Sequence, residues 1–240
     1  MEDSSCFSAK DDFLSTLEEV RALLKLAASN EREVTVYATL VKASLIFLAS
    51  KLEAFLEDIV AEFIDKINEQ RPHVSRIPYS VKISALDCIL DEGMLSKIRG
   101  HDPSAGEIFS KVAILCGIDS VVEELRIRVK FNYGKHGEDE IIKLFAQIGI
   151  DDVFEACPLV SSGESTMIEE QVHQKIDVRA DINSVTNIRN NILHTDATPS
   201  LTHYQVAEFV KHFILFAEKL VEVLNCRFLQ IILSSTGVPN

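Results

Sequence analysis

The sequence predicts an all-α fold: an antiparallel four-helix bundle with a small helical insertion in the middle of the chain. Three observations carry this. Apolar residues recur at three- and four-residue steps over long stretches at both ends of the chain, the period of helices that bury one face. Glycine and proline are scarce, 9 and 6 in 240 residues, which disfavours a turn-rich β architecture. Two long helical patterns stand at each end, and pairing them antiparallel is the simplest way to bury their faces. Residues 1–240 read as a single domain, with residues 71–165 as the inserted helical subregion between the second and third long helices.

The first helical pattern is "DDFLSTLEEVRALLKLA", with Phe13, Leu14, Leu17, Val20 and Leu24 as its stripe; "SNERE" breaks it. The second is longer. Leu45, Leu48, Leu52, Phe55, Ile59, Phe63 and Ile67 form one row, and Ile46, Leu56, Val60 and Ile64 widen it, so its face is expected to meet more than one partner helix. The two prolines of "EQRPHVSRIPYS" end it. In the middle third, "SALDCILDEGMLSKI" and "SAGEIFSKVAILC" read as short helices, each led by a serine suited to cap it, and "EDEIIKLFAQIGI" as another. In "LRIRVKFNYGKHG", Leu125, Ile127, Val129 and Phe131 alternate with Arg126, Arg128 and Lys130, the pattern of a strand for which the chain offers no evident partner. "CPLVSSGEST" reads as a plain loop. The third long helix is expected over residues 167–194. The fourth opens at a capping box of Thr202 and Gln205, with Val206, Phe209, Phe213, Phe216, Leu220 and Leu224 as its stripe.

Composition narrows the function. A net charge of −13 argues against a broad basic face for duplex nucleic acid, though not against a local cationic pocket. The five cysteines stand far apart with no CxxC pair, which speaks for a reducing cytoplasm rather than a disulfide framework. The N-terminus is acidic and lacks the apolar core of a signal peptide, and "ASLIFLAS" is too short to span a bilayer, so no membrane association is expected. Seven scattered histidines form no HxxxH or HxH pair, so no metal or other cofactor is expected. Phosphate-loop, dinucleotide and serine-hydrolase signatures are missing.

One stretch stands out. "SVTNIRNNILHTDATPS" gathers Arg189, Asn190, Asn191 and His194 at the end of the third helical pattern. Arg189 offers a planar fork of donors suited to phosphate. His194 is the residue type that exchanges a proton near neutral pH. On an ideal helix the two lie about 140° apart, so they converge only if the helix frays or turns near His194, as Asp196, Thr198 and Pro199 would favour. The structural alternative is a polar helix end: His194 satisfying the dipole, and Arg189 pairing with Asp181, Asp196 or a neighbouring helix. The acid-free cationic segment from Arg126 to His136 suits either a nucleic-acid backbone or a solvated face.

"IRNNILHTD" resembles the signature of HEPN domains: an arginine, a polar residue, a short spacer and a histidine near the end of the third long helix of a four-helix bundle. "SKLEAFLEDIVAEFI" and "GEDEIIKLFAQIGI" resemble the second helix and the middle segment of the RiboL-PSP and MAE-28990-like branch. The resemblance implies a metal-independent endoribonuclease that dimerises with two motifs facing one cleft. By it, Arg189 would hold the scissile phosphate, His194 would move protons for attack by the ribose 2′-hydroxyl, and Asn190 would orient the motif. Glu53 would match a polar residue some members present from the second helix. It also implies RNA as substrate and a toxin or phage-defence role under an antitoxin or defence-system partner protein. The alternative is a non-catalytic HEPN scaffold that binds RNA or a partner.

Overall fold

The computed structural model describes residues 7–91, 94–117, 120–122, 124–131, 137–161, 174–196 and 198–233. It is all-α apart from one small hairpin. In order come α1 (Ser8–Ser29), α2 (Val34–Gln70), a 3₁₀ turn (Val74–Arg76), α3 (Tyr79–Asp91), α4 (Met94–Arg99), α5 (Ala105–Cys116), α6 (Glu138–Ala146), α7 (Val153–Ala156), β1 (Leu159–Ser161), β2 (Gln174–Ile176), α8 (Val178–Thr195) and α9 (His203–Leu233).

The four long helices pack on one another: α1 on α2 and α9, α2 also on α8 and α9, and α8 on α9. Their contacts are the stripes read from sequence. Phe13, Leu17, Val20 and Leu24 of α1 are buried; so are Leu45, Leu48, Leu52, Phe55, Ile59, Phe63 and Ile67 of α2. The rings of Phe13 and Phe55 stack at 4.5 Å. In α9 Val206, Val210, Phe213, Phe216, Leu220 and Leu224 are among the buried residues, while Phe209 is only partly covered. Burying one such side chain contributes about 1.5–3 kcal/mol. An exposed ion pair is worth at most about 1 kcal/mol. The stripes, not the surface charges, therefore hold the long helices together.

Local chemistry sets the helix ends. The first amides of α1 have no cap from Phe7; Glu62 of α2 answers instead, accepting from the amides of Ser8 and Ala9, each at 2.9 Å. Arg71 closes α2 in the left-handed region (φ 43°), and Pro72 follows. At α9 the capping box forms as expected: Gln205 accepts from the Thr202 amide at 2.9 Å, and Thr202 Oγ1 from the Gln205 amide at 3.4 Å.

Four local expectations change. The third long helix begins at Val178, not near residue 167. Residues 174–176 pair antiparallel with residues 159–161, Leu159 opposite Ile176, and Asp177 caps α8 by accepting from the Ala180 amide at 3.0 Å. The loop expected at 157–166 accordingly contains strand β1. The alternating segment is not a strand. Leu125 is buried while Arg126, Arg128 and Lys130 are exposed, so the period-two pattern is real. Its backbone is satisfied by side chains instead: Asn68 bonds both the amide (2.7 Å) and the carbonyl (3.0 Å) of Leu125, Glu57 accepts from the Phe131 amide, and Gln147 donates to the Arg128 carbonyl. The serine caps also fail. Ser84 lies inside α3, which starts after Pro78, and Ser104 precedes α5 without a side-chain capping bond. Cys6, residues 132–136 of the cationic segment and residues 167–173 of the expected helix lie outside the described residues.

Candidate active site

α8 is the least apolar of the long helices, and it carries the polar motif at its C-terminal end. Val178, Ile182, Val185 and Ile192 bury one side of it. Arg189 follows that side inward: its side chain is 11% exposed and pairs with Glu53 of α2, itself 25% exposed. The other guanidinium arm donates to Asn190 Oδ1 at 3.2 Å, while the buried Nε has no hydrogen-bond partner. Two of the three guanidinium nitrogens are thus engaged, and the third is shut away from solvent.

His194 is exposed, on a different side of the helix. The helix does not fray before it. Thr195 still belongs to α8, and Asp196 closes it in the left-handed region (φ 52°), its amide bonding the Ile192 carbonyl at 3.0 Å. Arg189 and His194 therefore keep their separation of about 140° around the axis. The structure brings Arg189, Asn190 and Glu53 together and leaves His194 apart from them.

The other acids near the motif have their own partners. Asp181 meets His212 Nδ1 at 2.7 Å. Asp196 meets Lys42 of α2, whose ammonium donates to the Asp196 carboxylate at 2.7 Å and to its carbonyl at 3.2 Å. That ammonium holds the Asp196 carboxyl below its ordinary pKa. A cation at this position also suits the negative end of the α8 dipole.

Sequence reading missed a second polar set at this junction. The Tyr37 hydroxyl of α2 accepts from the His203 amide at 3.1 Å and lies 3.2 Å from the ring Nδ1 of the same histidine, which is buried. Tyr204, 70% exposed, lays its ring 3.9 Å from that of His203. The partners are 166 residues apart, and helical periodicity carries no signal for such a pair. Among the described residues no three His, Cys, Asp or Glu side chains gather as metal ligands, and no helix is long and apolar enough to cross a membrane.

A family model described as RiboL-PSP-HEPN matches residues 11–225, nearly the whole chain. The chain belongs to that HEPN family. The match spans most of α1, all of α2 and α8 and most of α9, so the Arg189–His194 motif and Glu53 all fall within the RiboL-PSP-HEPN region. No curated protein and no solved structure matches this HEPN chain.

Proposed function

We propose that this HEPN protein is a metal-independent endoribonuclease acting as a homodimer, restrained in the cytoplasm by a partner protein as a toxin or phage-defence component. The observation that carries the reading is the arginine fork of Arg189, held in place by Glu53 and Asn190 five residues before an exposed histidine. Arg189 binds the scissile phosphate and neutralises charge as it builds at phosphorus. His194 takes the proton from the ribose 2′-hydroxyl as that oxygen attacks, or donates one to the departing 5′-oxygen. The products are a 2′,3′-cyclic phosphate and a 5′-hydroxyl. Asn190 and Glu53 fix the plane of the fork; they are positioning groups.

The exposure of His194 and the separation of the two motif residues support the dimer. A second copy facing α8 supplies a histidine to each arginine. Leu193, 59% exposed beside His194, gives that face apolar contact area.

A scaffold reading is favoured by one fact: Glu53 already pairs with the Arg189 charge, as it would in a purely structural ion pair. End-labelled RNA incubated with purified protein in EDTA separates the two. Cleavage by wild type and its loss in His194→Ala, with an unchanged circular dichroism spectrum, supports the nuclease. Arg189→Lys is also expected to fail, since lysine keeps the charge without the planar fork. Equal cleavage by wild type and His194→Ala sinks the catalytic assignment.

A further inference from the structure

The acidic balance of the chain makes one surface unusual. Arg126, Arg128 and Lys130 project from the same side of residues 124–131, because Leu125 is buried and Ile127, Val129 and Phe131 pack against the core. Packing dictates that these alternate positions face outward, but it does not dictate that all three be cationic. Two cavities open along this row. One of about 270 Å³ is lined by Arg128, Lys130 and Phe131 with Lys143 of α6. Another of about 100 Å³ is lined by Arg126 and Lys111 with the apolar side chains of Ala85, Ile89, Ile114 and Leu115. Both are lined by Cys88 of α3, so they lie side by side along residues 124–131 and together make one groove.

Among the described residues five cations line this groove against three acids, Asp87, Glu124 and Glu140. Glu124 lies 2.9 Å from Arg126 and Glu140 lies 2.7 Å from Lys143. The first is an exposed pair of the kind a competing phosphate exchanges at little cost, and in the second the lysine is exposed while Glu140 is largely covered. Alternate residues of an extended chain repeat about every 6.6 Å, which matches the stride of successive phosphates in an extended single strand. A cationic row with an aromatic face beside it is the combination that binds single strands. Duplex RNA instead requires contacts spread across two successive minor grooves, which one row does not supply.

We propose that this groove is a track for single-stranded RNA, with phosphates on Arg126, Arg128 and Lys130, a base on Phe131 and another in the apolar cavity beside Cys88. It rests on the RNA-directed reading proposed above and adds a substrate-binding surface on elements separate from the motif helix. The groove selects an unpaired strand and leads it to the protein, while the Arg189 site cuts.

The test uses fluorescence anisotropy of a labelled oligouridine 12-mer over a sodium chloride series, with His194→Ala as the parent so that the strand survives. The combined variant Arg126→Gln, Arg128→Gln, Lys130→Gln in that parent is expected to bind at least about tenfold more weakly at low salt. Its log-affinity against log-salt slope should be shallower by about 2, the value for three lost single-strand phosphate contacts. Equal affinity and slope in parent and variant would overturn the track while leaving the nuclease reading intact. If wild type neither binds nor cuts any RNA, both readings fall together. If polyglutamate displaces the 12-mer at equal charge concentration, the groove is an acceptor for acidic protein and the RNA assignment is wrong.

Discussion

Arg189 of α8 donates to the carboxylate of Glu53 of α2, across 136 residues of chain. The pair is only 11% and 25% exposed, so each charge relies on the other more than on water. Removing one partner of such a pair strands the second. Glu53→Ala is expected to lower unfolding free energy by about 1–3 kcal/mol, measured by urea denaturation. The Glu53→Ala, Arg189→Ala double variant should lose less than the sum of the singles, by at least about 0.5 kcal/mol. Strict additivity would mean that the contact contributes nothing.

Asp152 ties the middle of the chain to α8. It caps α7 through the amides of Phe154 and Glu155 and pairs with Arg179, whose guanidinium also lies over the Phe154 ring. Burial alone would raise the Asp152 pKa, but the bonds from Arg179 and the two amides outweigh it and hold the carboxyl below its ordinary value. A depressed folded-state pKa contributes stability above the unfolded value of about 3.9, and that contribution is lost as pH falls through the folded value. Asp152→Asn should therefore unfold more easily at pH 7 and show a shallower acid limb below about pH 4. Urea midpoints taken from pH 2.5 to 7 read both effects; identical pH slopes would remove Asp152 from acid unfolding.

Gly149 turns the chain after α6 with φ +82°, a conformation L side chains rarely adopt. A Cβ there would also stand 2.3 Å from an Arg227 terminal nitrogen and 3.1 Å from Ser80 Oγ. Arg227 can swing aside, but the backbone strain stays. Gly149→Ala is expected to cost about 1–2 kcal/mol, read as a lower urea midpoint at unchanged m-value. A neutral or stabilising result would show that this turn relaxes.

The long helices were legible because each buries one continuous stripe, and a stripe is a property of local spacing. The Thr202–Gln205 cap was legible for the same reason. The start of α8 was not. No glycine or proline interrupts residues 167–178, so the sequence gives no break ahead of Val178. The alternation at 125–131 predicts a strand; the structure keeps the alternating burial but forms no strand there, because Asn68 and Glu57 satisfy its backbone in place of a strand partner. At the site, the motif itself was visible in sequence. What holds it was not: Lys42 on Asp196 and Tyr37 on His203 join residues 154 and 166 apart.

The motif is expected to assemble between protomers. α8 remains regular through Thr195, so within one protomer Arg189 and His194 stay on different sides of the helix. In the proposed dimer a phosphate held by Arg189 would lie out of line with the histidine five residues along, and the histidine serving it would come from the facing copy. Arg189→Lys and His194→Ala are each expected to be inactive as homodimers. Mixed after partial unfolding and refolding, they should form heterodimers in which the intact Arg189 of one protomer meets the intact His194 of the other. Random assortment makes half the dimers mixed, each with one working pair of two, so about a quarter of wild-type cleavage should return. Two tags purified in tandem isolate the mixed species. If that species is as dead as its parents, catalysis does not pair the residues between protomers. If either single variant is fully active alone, the motif is not the nuclease at all.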